Sequence, residues 1–222
     1  MRVVILIALW KRPEIVKFTV RELKKTIAAS SMELIPLFIL SPEDPNYKEL
    51  LKIIGDFKYL EYKNYPLGAK MNDGIRSSLL LDYDYLMNFG SDDVIEPRYF
   101  DEIMTLCQSK EPIIGLNSCK IVDYRSKKRY YLVNVCKEYP IGAGRMIHRS
   151  IIERVIVDER TDLYSPEINS GLDGNSIKRI MAITGEAPYI IETSNSPVTD
   201  YKSNTNINPI EIIWPHLTTI GI

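Results

Sequence analysis

The sequence predicts an α/β fold built on a mixed sheet, parallel with helices on both faces in its N-terminal half and joined by antiparallel strands in its C-terminal half. Three observations carry this. Residues 3–9 form a continuous β-branched and aliphatic run, the pattern of a strand covered on both faces. Strand-like and helix-like segments alternate from there to residue 89, which is the rhythm of right-handed crossovers. After residue 108 the rhythm changes to strand-like runs with no helix between them.

Each element has a local reason. Pro13 opens a helix whose Val16, Val20, Leu23 and Ile27 make one apolar stripe. Residues 34–40 read as a second buried strand, ended by the polar turn Ser41-Pro42-Glu43-Asp44-Pro45. A short helix over 47–54 stops at Gly55, and 59–62 reads as a third strand. A loop over 64–68 leads into a helix over 69–81, then a strand over 85–89. Residues 97–108 read as one helix with Phe100, Ile103, Met104 and Cys107 on one face. Strands are expected over 113–116, 120–124, 130–135 and 188–192, with helices over 150–157 and 175–184. The segment SNSPVTDYKSNTNINP has loop composition and reads as a lid or a tail. The expected organisation is one domain over 1–194, with a boundary near 96 between two halves and a lid or tail over 195–222.

Composition narrows the function. A chain of 222 residues is ample for one packed core, and a net charge of −1 provides no basic field for nucleic acid. The three cysteines, Cys107, Cys119 and Cys136, lack metal-ligand spacing and read as reduced core thiols. The opening MRVVILIALW is too short to span a bilayer and has no cleavage site, so no transmembrane segment and a cytoplasmic location are expected.

The chemistry centres on YLMNFGSDDVIEP, residues 85–97, where a buried strand ends in Gly90 and Ser91 and delivers Asp92 and Asp93. Two carboxylates at the carboxyl end of a strand suit a divalent cation, and equally suit a solvated helix-capping turn. The tips of the first two strands, Ala8-Leu9-Trp10 and Ser41-Pro42-Glu43, fall on the same rim. So does the junction carrying Lys70 and Asn72, where a helix N-terminus beside a lysine is a ready anion site.

In this order the motifs resemble a glycosyltransferase of the GT-A fold, a Rossmann-like architecture, and are most similar to the family 2 type. The resemblance runs over residues 1 to about 200 and rests on Gly68-Ala69-Lys70-Met71-Asn72-Asp73-Gly74, Gly90-Ser91-Asp92-Asp93, Gly142-Ala143-Gly144-Arg145-Met146 and Leu172-Asp173-Gly174-Asn175-Ser176-Ile177-Lys178-Arg179. It implies an inverting, hexosyltransferase-like reaction. The donor would be a nucleotide-diphosphate sugar, foremost a UDP-sugar, and the acceptor a carbohydrate or glycan hydroxyl. Asp92 and Asp93 would hold Mn²⁺ or Mg²⁺, with the tail residue His216 as a further ligand or simply an exposed side chain. Asp173 would be the catalytic base, against the plain alternative of a helix cap. Ala8, Trp10, Arg12, Ser41, Glu43, Lys70, Asn72, Ser91 and Lys202 would contact the donor, against the plain alternatives of solvated surface for Arg12 and for the Asp200–Lys202 pair and of rim packing for Trp10. The sequence departs from the family at Gly90, where an aspartate usually stands, at Ser41, where an acidic pair is usual, and at Met71. Two other functions remain open: a catalytically silent sugar- or nucleotide-binding module, for which Gly90 speaks, and a sugar-nucleotide nucleotidyltransferase, whose Gly-rich opening loop is absent.

Overall fold

A computed structural model describes residues 1–133, 138–203 and 217–219. Strand β1 (Arg2–Ala8) lies inside a seven-stranded sheet, between β2 (Glu33–Leu40) and β4 (Tyr85–Phe89), and runs parallel to both. Its side chains alternate between two apolar layers. Val3, Ile5 and Ile7 join Val16, Val20 and Leu23 of helix α1 (Pro13–Ala29). Val4 and Leu6 join Met71 and Ile75 of α3 (Leu67–Ser78) and Ile177 and Ile180 of α7 (Leu172–Thr184). Each such side chain contributes about 1.5–3 kcal/mol when fully buried, so a one-residue slip, which exchanges the layers, is strongly disfavoured.

After α2 (Tyr47–Ile54), β3 (Lys58–Glu61) adds in parallel outside β2. On the far side of β4 come β9 (Met146–His148) and β6 (Ile113–Leu116), with β9 antiparallel to both, then β10 (Tyr189–Ile191), parallel to β6. The order β10-β6-β9-β4-β1-β2-β3 reverses direction at β1, which leaves a crevice at the carboxyl ends of β1 and β4.

A second sheet, ordered β12-β8-β7-β11-β5, stands beside the first. It comprises β5 (Asp93–Ile95), β7 (Ser118–Asp123), β8 (Arg129–Val133), β11 (Val198–Lys202) and β12 (Leu217–Thr219). The chain leaves the first sheet at Phe89 and enters the second at Asp93, so the two aspartates sit at the junction.

Three expectations change. The helix expected over 97–108 is two short ones, α4 (Arg98–Glu102) and α5 (Met104–Gln108), because Ile103 takes φ −95° and ψ −3°. The apolar face survives the break: Phe100, Ile103 and Cys107 are all buried. The helix expected over 150–157 is α6 (Arg149–Glu153) followed by a π-helical turn at Arg154–Asp158. Within the segment of loop composition, Val198–Lys202 is an interior strand, antiparallel to β5 and parallel to β7. Polar residues tolerate that position because pairing on both sides satisfies their backbone. Among the described residues, Cys107 and Cys119 are free and buried, whereas Cys136 lies outside them. No helix among them is long and apolar enough to cross a membrane.

Candidate active site

The crevice opens into a cavity of about 970 Å³. One wall is the junction between the sheets. Asp93 of β5 stands directly opposite Asp200 of β11 in the antiparallel register, and Asp92 lies beside them. Carboxylate oxygens of these three residues all lie within 4.8 Å of one another. Like charges facing across a strand pair are destabilising unless something neutralises them. Accordingly, burial and then the charges of Asp200 and Asp92 push the Asp93 carboxyl well above its ordinary range. Burial, with Asp92, pushes Asp200 to about 6 against the opposing effect of Lys202.

Two cations answer part of this charge. Lys202 pairs with Asp200 at 2.6 Å, and Arg12 pairs with Asp92 at 3.0 Å. Burial alone would lower the Lys202 pKa, but Asp200, Asp92 and Asp93 together raise it. Even so, Asp200 Oδ1 is buried with no hydrogen-bond partner among the described residues. Three convergent carboxylates with an orphaned oxygen are a donor set that fits a hard divalent cation.

Gly90 has a steric reason. Its N–H donates to Asp93 Oδ2 at 2.7 Å, and a Cβ at this position would meet the same oxygen at 2.7 Å and Asp92 Oδ1 at 3.0 Å. A side chain there would crowd both carboxylates. The cluster draws its third carboxylate from β11 instead.

Another part of the lining carries Asp173 in the first turn of α7, its side chain 64% exposed. The Gly142–Gly144 turn packs directly on it, and a Cβ on Gly142 would overlap the carboxylate. Beneath lies Arg145, whose side chain is fully buried. Its Nη1 donates to the Asp173 carbonyl at 2.9 Å and its Nη2 to Ser176 Oγ at 2.8 Å, while Asp173 Oδ1 stands 3.7 Å from Nη2. A buried guanidinium needs compensating oxygen, and Asp173 supplies both backbone and side-chain atoms.

Of the residues singled out from sequence, Ala8, Trp10, Arg12, Lys70, Ser91, Asp92, Asp93, Asp173 and Lys202 line this one cavity. Lys70 is enclosed, and its Nζ donates to Leu9 O at 2.6 Å, Ser41 Oγ at 2.9 Å and Asn64 Oδ1 at 3.3 Å. Burial lowers its pKa to about 8, with Glu43 and Asp44 opposing. Ser41 and Glu43 are not among the lining residues: Ser41 is buried and Glu43 is exposed. Ser41 receives Lys70, and Glu43 accepts the Asn64 N–H at 2.6 Å, the main cause of its lowered pKa. Asn72 is turned away from the cavity: its Nδ2 donates to Tyr164 O at 2.8 Å and its Oδ1 accepts the Tyr164 N–H at 3.0 Å. It fixes the segment that leads to Asp173. Trp10 meets Tyr65 edge to face at the mouth, with ring centroids 6.2 Å apart. His216 lies outside the described residues.

The sequence alone puts Asp200 and Lys202 together in a lid segment that closes over the diphosphate, or in a solvated loop, and does not single out Arg145, Asn88 or Tyr164. Asn88 and Tyr164 also line the cavity and hydrogen-bond each other. The alternation Val198-x-Asp200-x-Lys202 was the available signal for Asp200. For Arg145 it was an arginine directly after the glycine turn.

Sheet order, crevice and acidic junction together define the class of architecture: this is a GT-A fold. Among the solved structures it is similar to are those of TarS from S. aureus. TarS 1–349 superposes with a TM-score of 0.60 at 10% identity, covering 90% of this chain and 60% of that one. The same segment in complex with UDP-GlcNAc gives a TM-score of 0.60 at 12% identity, covering 96% of this chain and 64% of that one. The complex with UDP gives 0.61 at 11% identity, covering 91% and 61%. The chain thus spans less than two thirds of the length of those structures. No family model matches the chain, and no curated protein matches it.

Proposed function

We propose that the protein is a metal-dependent glycosyltransferase, moving a sugar from a nucleotide-diphosphate sugar, foremost a UDP-sugar, to a carbohydrate hydroxyl with inversion at the anomeric carbon. The observation that carries this reading is the pairing of Asp92, Asp93 and Asp200 on one wall of a cavity with Asp173 on another. The fold shared with TarS, solved with UDP-GlcNAc and with UDP, supports the donor class.

The residues divide the work. Asp92, Asp93 and Asp200 would hold the cation, which when bound supplies Lewis-acid stabilisation of the charge on a departing diphosphate. Lys202 and Arg12 border the same wall and add positive charge where that group would lie. Asp173 accepts the proton of the acceptor hydroxyl as its oxygen bonds to the anomeric carbon and the bond to diphosphate breaks. A positioned base of this kind contributes about 10²–10⁴-fold. Arg145 holds Asp173 by backbone and side chain, so the carboxylate faces the acceptor in one orientation.

The test is release of nucleoside diphosphate from a panel of nucleotide sugars, with and without Mn²⁺, and with a mixed glycan acceptor. Cation-dependent release that Asp173→Asn abolishes is expected. Donor binding without release, the variant behaving as wild type, would instead identify a silent binding module.

A further inference from the structure

We propose that Arg12 sets the cation affinity of the acidic cluster: its guanidinium occupies Asp92 in the cation-free protein and moves to the donor diphosphate when cation and donor bind. This rests on the metal-dependent reading above. Arg12 Nη1 donates to Asp92 Oδ2 at 3.0 Å and Nη2 donates to Ser91 Oγ at 2.6 Å. One planar fork therefore clasps both residues of the turn that presents the cluster. The side chains are 17% and 12% exposed, so water screens the pair only in part.

The backbone under this contact is strained. Lys11 and Arg12 are consecutive non-glycine residues in the left-handed region, at φ 59° and 56°. Such a conformation is unfavourable for L-residues and persists only where its surroundings impose it. Here the Lys11 N–H donates to the Asp44 carboxylate, and the Arg12 carbonyl accepts the first bond of α1 from Val16 N–H at 3.1 Å. The two left-handed residues turn the chain from the tip of β1 into α1 and bring the Arg12 side chain onto Asp92.

A cation and a guanidinium compete for the same carboxylate. A cation held by the Asp92 carboxylate would repel the guanidinium on its Oδ2 at short range, and so would weaken the Arg12–Asp92 pair. The freed guanidinium borders the cavity where a diphosphate beside the cluster would lie, and arginine binds such oxygens in bidentate fashion. Linkage then follows: a donor that takes Arg12 away from Asp92 tightens the cation, and the cation tightens the donor by the same factor.

Mn²⁺ titration of the purified full chain without any nucleotide, followed by electron paramagnetic resonance or calorimetry, tests this without reading turnover. Arg12→Gln is expected to bind Mn²⁺ roughly five-fold more tightly than wild type, the scale of one partly screened ion pair. Unchanged or weaker binding by a variant with native circular dichroism overturns the proposal. The gain should vanish in an Asp92→Asn background, and a gain that persists there overturns it too. Added UDP should tighten Mn²⁺ more in wild type than in Arg12→Gln; equal tightening refutes the transfer to diphosphate. Should Arg12→Gln fail to fold, Arg12→Lys, which keeps the charge but loses the fork, should show a smaller gain. Absence of transferase activity alongside the predicted Mn²⁺ shifts would sink the enzymatic reading and leave this one standing.

Discussion

Asp93 is buried opposite Asp200 across a strand pair, whereas Asp173 stands 64% exposed over a buried arginine. The first wall gathers carboxylates in a region water barely reaches, so Asp93 and Asp200 are raised and one Asp200 oxygen is orphaned. The second wall reverses the arrangement. Its buried member is the cation, and the carboxylate faces the cavity. Burying like charges makes a place that gains by taking up a cation. Burying an arginine beneath an exposed carboxylate instead fixes the backbone that carries that carboxylate. The same residue type acquires two uses because its surroundings differ.

That contrast can be broken at several points. Asp173→Asn should lower kcat by about 10²–10⁴-fold with Mn²⁺ and donor affinity unchanged, read by steady-state kinetics beside calorimetry. Equal loss of Mn²⁺ binding would mean the walls are not separate. Gly142→Ala should lower kcat by roughly 10²-fold, the scale of a catalytic group displaced by about 1 Å, since the new methyl displaces the Asp173 carboxylate. A Gly142→Ala enzyme at wild-type rate would remove Asp173 from the chemistry.

On the acidic wall, Asp93→Asn should trade function for stability. Mn²⁺ binding should weaken at least the ~10-fold that loss of even an outer-shell partner costs. The cation-free protein should meanwhile melt at a higher temperature, with a stability gain on the order of 1 kcal/mol, because the amide carries no cost of burying or protonating a carboxylate there. Differential scanning calorimetry reads the second effect, and a lower melting temperature would contradict it.

The smallest effect is in pH. Asp200 is raised from 3.8 to about 6, so between those values the native state binds more protons than the unfolded chain. Its contribution therefore favours folding at low pH and is lost as pH rises through about 6. Other carboxylates, such as Glu22, Glu96 and Asp123, are lowered and slope the opposite way. The difference in melting temperature between wild type and Asp200→Asn isolates the Asp200 contribution. Without cation it should become less favourable to wild type from pH 4 to pH 7, and excess Mn²⁺ should reverse the trend.

Much of the N-terminal half is legible in the sequence. The residue 3–9 run, the stripe on α1 and the abrupt Gly90-Ser91-Asp92-Asp93 ending are local signals, and each stands where it was expected. Lys70 was read as an anion ligand, yet three oxygens from three different segments already enclose it. Asn72 was read as a donor contact, yet it clasps the backbone of Tyr164, 92 residues away. Side-chain partners at such separations leave no periodicity to read.

The sequence by itself determined the parallel core, the rim on which the strands end and the acidic pair at its junction, because burial on two faces and an abrupt polar stop are written in neighbouring residues. Only the tertiary structure decided that Asp200 completes the cluster, that Gly90 leaves room for it and that Arg145 lies under Asp173. These depend on β11 entering between β5 and β7 and on a glycine turn meeting a helix start. Contacts of that kind are fixed by the packing of whole sheets, which no local stretch encodes.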